Sequence, residues 1–258
     1  MALRSEAKTN LFMRIFSNLP EIIIVGSGYG GAVAALRLKE AGHKVILLEM
    51  GIDYEKRSEH KPFSNMLSPK NNSTWLRKKT IAPMMNMVHF NKKFTGVLDR
   101  MDFEEIKVYA GRGVGGGSLV NGGMAVQPQK EFFQETLPEL DAEEFWNVWF
   151  PLAKKELHVN EISQDYLEKS EYYKFARIGL DEAKHAGFET ITVPNVYSFD
   201  YMQKEEAGEV PKSALAKEVI YGNNYGKNCL EKTYLKKALA TGLLTILDLH
   251  KVNYFEAT

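Results

Sequence analysis

The sequence predicts an α/β fold, and three observations carry that reading. A β-branched run from Glu21 to Val25 ends abruptly in a glycine cluster at 26–31. A small-residue helical stretch and a second apolar run, Lys44 to Met50, follow directly. A larger glycine cluster stands at 111–123, behind the short strand-forming run Ile106 to Tyr109. Compact β-branched runs closed by glycine are the pattern of strands buried in a parallel sheet.

Taken in order, Glu21 to Val25 is the first strand. Ala32 to Ala41 carries apolar residues at helical spacing, Val33 and Leu36, and closes at Gly42, a natural residue just past a helix end. Lys44 to Met50 is the second strand, so residues 22–51 form a βαβ unit with a right-handed crossover. From Ile52 to Glu105 the pattern loosens around Asn71, Asn72, Ser73 and Pro83. The basic group Arg77 to Lys79 and the methionines Met84, Met85 and Met87 read there as a solvated face over an ordinary core. Beyond Gln129 the pattern is mostly helical: Lys130 to Thr136, Ala142 to Val148, Leu152 to Leu157 and Glu171 to His185, with Trp146, Trp149 and Phe150 expected in the core. Leu230 to Ala240 is the last helix, and Leu244 to Phe255 reads as a strand.

The chain has 258 residues, enough for one large domain or two modest ones. Lysine plus arginine balance aspartate plus glutamate at 33 each, which argues against a chain-wide footprint for nucleic acid or anionic membrane. The single cysteine, Cys229, excludes an intrachain disulfide framework and is expected to be a buried, inert thiol in a reducing compartment. No stretch approaches the ~20 apolar residues of a membrane span. Residues 1–20 hold Arg4, Lys8 and Arg14 around short apolar pieces, without the continuous core of a secretory signal. They read as a surface extension, and the location expected is cytoplasmic.

Gly26, Gly28 and Gly31 fit G-x-G-x-x-G between a strand and a helix. Gly26 permits the sharp exit from the strand, Gly28 lets backbone approach a diphosphate, and Gly31 lets the helix pack close to the sheet. The diphosphate would sit at the helix N-terminus. Glu49, 23 residues after Gly26, can accept hydrogen bonds from ribose hydroxyls and would repel a 2′-phosphate. That favours FAD or NAD over NADP and leaves the first two open. The second cluster has seven glycines in the thirteen residues 111–123. Each costs about 0.5–1 kcal/mol of ordering relative to alanine in regular structure. A fold tolerates that where backbone runs against something flat or charged, and a flavin ring with its ribityl chain is such an object. Asn121 would offer an amide to it or to a nearby polar group, and Met124 would pack near the ring. An NAD domain has no use for this second cluster.

The segment 26–35 together with Leu48, Glu49, Met50 and Gly51 resembles the FAD-binding start of the glucose–methanol–choline (GMC) oxidoreductases. The segment 111–126 is similar to that of the bacterial cholesterol oxidases within the family, as are 194–197, 207–214 and 220–224. The resemblance runs from Ile22 to Val252. It implies a Rossmann-like FAD-binding βαβ domain, incomplete here, with a largely helical α+β portion for the substrate. The expected organisation is an N-terminal extension (1–20), an FAD-binding region (21–128), a partial substrate-binding region (129–228) and a return to the FAD-binding domain (229–258). The resemblance implies FAD contacts at Tyr29, Gly30, Glu49, Gly117, Asn121, Gly122 and Met124, and at the backbone of Val252 beside the adenine. It further implies hydride transfer from a sterol or other hydrophobic alcohol, with oxygen as acceptor.

In the family, the catalytic glutamate, histidine and asparagine lie in the second half of a longer chain. No position here inherits those roles, and His158, His185 and His250 read as surface or internally satisfied histidines. The chain is therefore expected to be an N-terminal part of such an oxidase, with an unfinished sheet edge, marginal stability and weak flavin binding alone. A non-catalytic flavin-binding or interaction remnant is the alternative, and an NAD-dependent dehydrogenase the third reading. No metal site is expected.

Overall fold

In the computed structural model, residues 22–57, 96–216 and 225–256 are described. The N-terminal extension, Glu21, the basic and methionine groups of 77–87 and the motif 220–224 lie outside them.

Strand β1 (Ile22–Val25) leads through the first glycine cluster into helix α1 (Tyr29–Glu40), and strand β2 (Val45–Leu48) returns beside β1. The pairing is parallel, Ile22 opposite Val45 and Val25 opposite Leu48. On the other side of β2 lies β5 (Leu244–Leu247), also parallel, with Val45 opposite Leu244. The order β1-β2-β5 thus joins residues almost two hundred positions apart. Ala32, Ala35 and Leu36 of α1 pack on this sheet beside Tyr234, Leu235 and Ala238 of helix α9 (Tyr234–Ala240), and Val45, Leu47, Leu244 and Ile246 complete the core.

That core occupies one face. Ile23 is 52% exposed and Val25 49%, so β1 is buried on one side only. The sequence pattern predicts burial on both faces, because a run of four β-branched residues has no alternation to mark an open side. The same strand forms the edge of the sheet.

Short helix α2 (Tyr54–Arg57) follows β2. An antiparallel hairpin, β3 (Leu98–Asp102) and β4 (Lys107–Gly111), then delivers the chain into the second glycine cluster. The run at 106–109 predicts β4 to within two residues; its partner β3 carries Asp99, Arg100 and Asp102 and has no apolar alternation to reveal it. Asp99, fully buried, is paired with Arg112 at 3.1 Å, which ties the base of the hairpin to the start of the cluster.

The middle of the chain is helical. Helix α3 (Lys130–Thr136) is followed by α4 (Ala142–Glu144), a π-type turn (Phe145–Trp149) and α5 (Phe150–Glu156). Asp141 caps this run by accepting from the Glu143 and Glu144 amides. Phe133 meets Phe145, Trp146 and Phe150 with ring centroids 5.0–5.8 Å apart. Trp149, expected in the core, is instead exposed, because the wider π-type turn rotates it off the face shared by Trp146 and Phe150. Helices α6 (Gln164–Lys169) and α8 (Phe199–Ala207) are short, Ser-capped at Ser163 and Ser198, and too polar to show a helical period. Helix α7 (Lys174–His185) is preceded by a single tighter turn, Glu171–Tyr173.

Two further boundaries differ from the sequence pattern. Helix α9 begins at Tyr234, since Leu230 to Thr233 form a turn in which the Lys232 and Thr233 amides donate to the Cys229 and Leu230 carbonyls. The last strand ends at Leu247, where Leu249 adopts a left-handed φ of 59° and turns the chain back. Val252 therefore lies beyond the sheet, not within a strand running to Phe255 as the apolar pattern suggests.

Candidate functional site

The two glycine clusters interlock at the carboxyl ends of the parallel strands, where open α/β sheets form their ligand crevice. Gly28 caps α1 with extended backbone, and no side chain bonds the first amides of the helix. The first turn also carries no acidic residue. Unpaired N–H groups and the positive end of the helix dipole are thus presented together, the arrangement that binds a diphosphate.

Steric detail separates the glycines that pack from those that leave room. A Cβ at Gly31 would stand 1.9 Å from the Gly26 carbonyl oxygen, so helix and strand can approach only as glycine. Gly116, with φ +53°, lies so close to Gly28 that a Cβ would come within 2.7 Å of the Gly28 Cα. Gly28, Gly30 and Gly117, by contrast, face open space. The second cluster therefore packs on the first loop while leaving a bare backbone path along both.

Ser27 holds this junction. It is fully buried; its amide and hydroxyl donate to Glu49 Oε2 at 3.0 and 2.6 Å, and its hydroxyl accepts the Gly115 amide at 3.1 Å. Glu49 Oε1 accepts the Gly51 amide at 2.8 Å. The carboxylate expected to meet a ribose thus also fastens the loop to β2; Oε2 already accepts twice, and Oε1 keeps a lone pair to spare. The chain passing the end of β5 closes on the same place, with the His250 amide donating to the Glu49 carbonyl at 2.8 Å. Val252, half-buried, lies two residues on.

On the opposite side, Asn121 Nδ2 donates to the Tyr29 hydroxyl at 2.7 Å, and its Oδ1 accepts the Gly123 amide. Burial raises the Tyr29 pKa above its ordinary value, against the Asn121 hydrogen bond, which lowers it. Tyr29, Gly30, Gly117, Asn121 and Gly122 are brought to one rim, while Met124 extends from it, 72% exposed. Beneath lies Lys227, wholly buried, whose ammonium donates to the Asn121 carbonyl at 2.5 Å and sits over the Tyr197 ring. Burial lowers its pKa, opposed by Cys229 and Glu231. The Cys229 thiol is buried in turn and pushed up by burial, the condition of an inert thiol.

Ser27, Ser118, Lys227 and Glu231 are the site residues that sequence reasoning missed. Ser27 occupies a free position of the motif, and nothing in the order of residues 225–233 marks two charges as buried. Ser118 donates to the Gly115 carbonyl at 2.7 Å and accepts the Leu230 amide at 3.1 Å, so it splices the second cluster onto that segment. His158, His185 and His250 are on the surface. Among the described residues no group of three or more His, Cys, Asp or Glu is arranged for a metal ion, and no helix is long and apolar enough to cross a membrane.

An open glycine path, an uncapped helix start and an acid at the end of the second strand define a dinucleotide-binding flavoprotein fold. Residues 21–56 match the FAD binding domain family, which makes FAD the cofactor of this fold. Over the stretches that are matched, the chain is similar to oxidases of the GMC type. It is 35% identical over 115 residues to a long-chain-alcohol oxidase of Arabidopsis thaliana, covering 45% of this chain and 12% of that protein. It is 33% identical over 116 residues to a cholesterol oxidase of Mycobacterium tuberculosis, covering 45% of this chain and 17% of that one. A solved fungal aryl-alcohol oxidase shares the fold with a TM-score of 0.51 at 16% identity, over 90% of this chain and 39% of its own. The chain thus spans about two fifths of the length of that relative.

Proposed function

We propose that this chain is the flavin-holding part of an FAD-dependent alcohol oxidase, acting on a sterol or another bulky hydrophobic alcohol with oxygen as electron acceptor. The observation that carries the reading is the junction of the two glycine clusters through Ser27 and the Gly28–Gly116 contact, which leaves a continuous bare path from the start of α1 to Gly117. A single-loop nucleotide site has no need of that path. The cholesterol and long-chain-alcohol oxidase relatives support the substrate class.

In this reading the amides of Tyr29 to Gly31 take the diphosphate, Glu49 the adenosine ribose, and Val252 the adenine through its backbone. Gly26 and Gly28 shape the turn that lets the phosphates approach. Gly117, Asn121, Gly122 and Met124 lie along the ribityl chain and ring. The bound flavin would supply the acceptor for the carbinol hydride, with the hydroxyl proton lost to a base or solvent and oxygen as the final electron acceptor, reduced to peroxide. Lys227 and Tyr29 keep Asn121 oriented. Residues 129–228 form part of the substrate-side portion, and residues 229–258 return to the cofactor region, as the β2–β5 pairing supports. The chain alone binds FAD without turning over alcohol, because no residue here stands in a motif that matches the catalytic glutamate, histidine and asparagine of the family.

Purified chain titrated with FAD and followed by flavin fluorescence tests the first part. Saturable binding, lost in Gly28→Val, is the expected result; no binding at any concentration overturns the reading. Peroxide release from cholesterol or a long-chain alcohol by the isolated chain would overturn the claim of inactivity while leaving the cofactor assignment intact.

A further inference from the structure

Glu231 is a carboxyl group at the cofactor junction whose side chain the FAD reading leaves unused. Both carboxyl oxygens are buried, and neither has a hydrogen-bond partner. Oε2 lies directly under the second cluster, 2.8 Å from where a Cβ on Gly115 would stand. Gly115 in turn bonds Ser27, and its neighbour Gly116 rests on Gly28 at the start of α1. The carboxyl is therefore one backbone layer behind the place where a diphosphate would lie.

The charged and titratable groups that face it are Lys227, Cys229 and Lys232 on its own segment, Tyr29 on α1 and Glu55 on α2. Lys227 is engaged by the Asn121 carbonyl, and Lys232 donates to the Lys227 carbonyl at 3.1 Å. Leaving a buried carboxylate without a partner is expensive, and such a group takes up a proton instead. Burial accordingly pushes the Glu231 pKa up to about 7, against the pull of Lys232.

We propose that Glu231 is a positioning residue for the cofactor loop, serving as a neutral acid beneath Gly115, and that its ionisation weakens FAD binding by placing a buried negative charge behind the diphosphate site. This rests on the FAD reading. Neutral, the side chain fills the space under the turn at no electrostatic cost. Ionised, it repels the diphosphate across a single layer of low-dielectric backbone. The sign follows from linkage: the bound anion raises the pKa of Glu231 further, so FAD binding takes up protons near neutral pH and affinity falls as pH rises. The diphosphate diester itself keeps its charge across this range.

FAD titrations of the full chain at a series of pH values, for wild type and Glu231→Gln, test the proposal. Wild-type affinity is expected to fall about tenfold as pH rises through neutrality, the change that one unit of pKa shift produces. Glu231→Gln, neutral and similar in size, is expected to hold the acid-side affinity at every pH. Calorimetry of the wild type in buffers of different ionisation enthalpy gives a second reading that needs no variant, and net proton uptake on binding at neutral pH is the expected result. A pH-independent wild-type affinity without proton uptake, or a Glu231→Gln profile that falls like wild type, overturns the role of Glu231 alone. Absence of FAD binding at every pH overturns the FAD reading and this proposal with it.

Discussion

Ser27 shows how much of this site depends on one small side chain. Its hydroxyl and amide bring two backbone loops and one carboxylate together inside the protein. Ser27→Ala keeps the backbone bond to Glu49 but leaves the Gly115 amide without its acceptor and removes the shortest bond to Glu49. A buried donor stripped of its partner costs about 1–3 kcal/mol. We expect the variant to lose that much in denaturant unfolding and to bind FAD more weakly, both from the same displacement of the second cluster. Unchanged stability would show that the junction is held by glycine packing alone. Glu49 carries a related lesson, because its carboxylate serves the loop as well as any ribose, and its replacement would damage both.

At the scale of elements, α1 and β1 are joined by a contact that admits no side chain. Gly31→Ala would drive a Cβ to 1.9 Å from the Gly26 carbonyl, a backbone atom that cannot rotate aside. The expected outcome is a loss of at least about 1–3 kcal/mol, the range for overpacked sites, read as a lowered Tm. Gly30→Ala, one residue away and facing open space, is the control and is expected to leave Tm nearly unchanged. The β3–β4 hairpin plays a comparable part for the second cluster, since the Asp99–Arg112 pair anchors the segment that turns into Gly113 to Gly117. That strand was not legible in the sequence, for a physical reason: Asp99 and Arg100 are buried because each finds partners in the fold, and residue order does not disclose a partner.

Across the whole molecule, the exposed apolar surface is unusual in its placement. Ile23 and Val25 are half-exposed at the β1 edge of the sheet, on the face where Ile46 of β2 is buried. Phe175, 88% exposed, and Ile178 stand on α7, a strongly amphipathic helix with no buried residue. An edge strand with an apolar face invites pairing with other chains. The isolated chain is expected to self-associate on size exclusion and to bind a hydrophobic dye. Saturating FAD at about a hundred times its Kd should stabilise the folded form by about 2.7 kcal/mol without covering that face. A monodisperse monomer with a cooperative melt would overturn the expectation.

Residue order alone determined the βαβ unit and the place of its glycine turn, and it marked the second cluster as backbone that must approach something closely. These are local facts: a strand, a turn and a helix follow from periodicity and from glycines whose spacing has steric meaning. Helix α7 and the start of β5 were legible for the same reason. The tertiary structure decided what lies far apart in sequence and close in space. It brought β5 beside β2, set Gly116 on Gly28, joined Ser27 to Gly115 and buried Glu231 beneath it. It also showed that β1, which the apolar pattern places inside a sheet covered on both faces, has one face bare. Burial and partnership are properties of the surroundings, and for Ser27, Lys227 and Glu231 those surroundings come from segments tens to more than a hundred residues away.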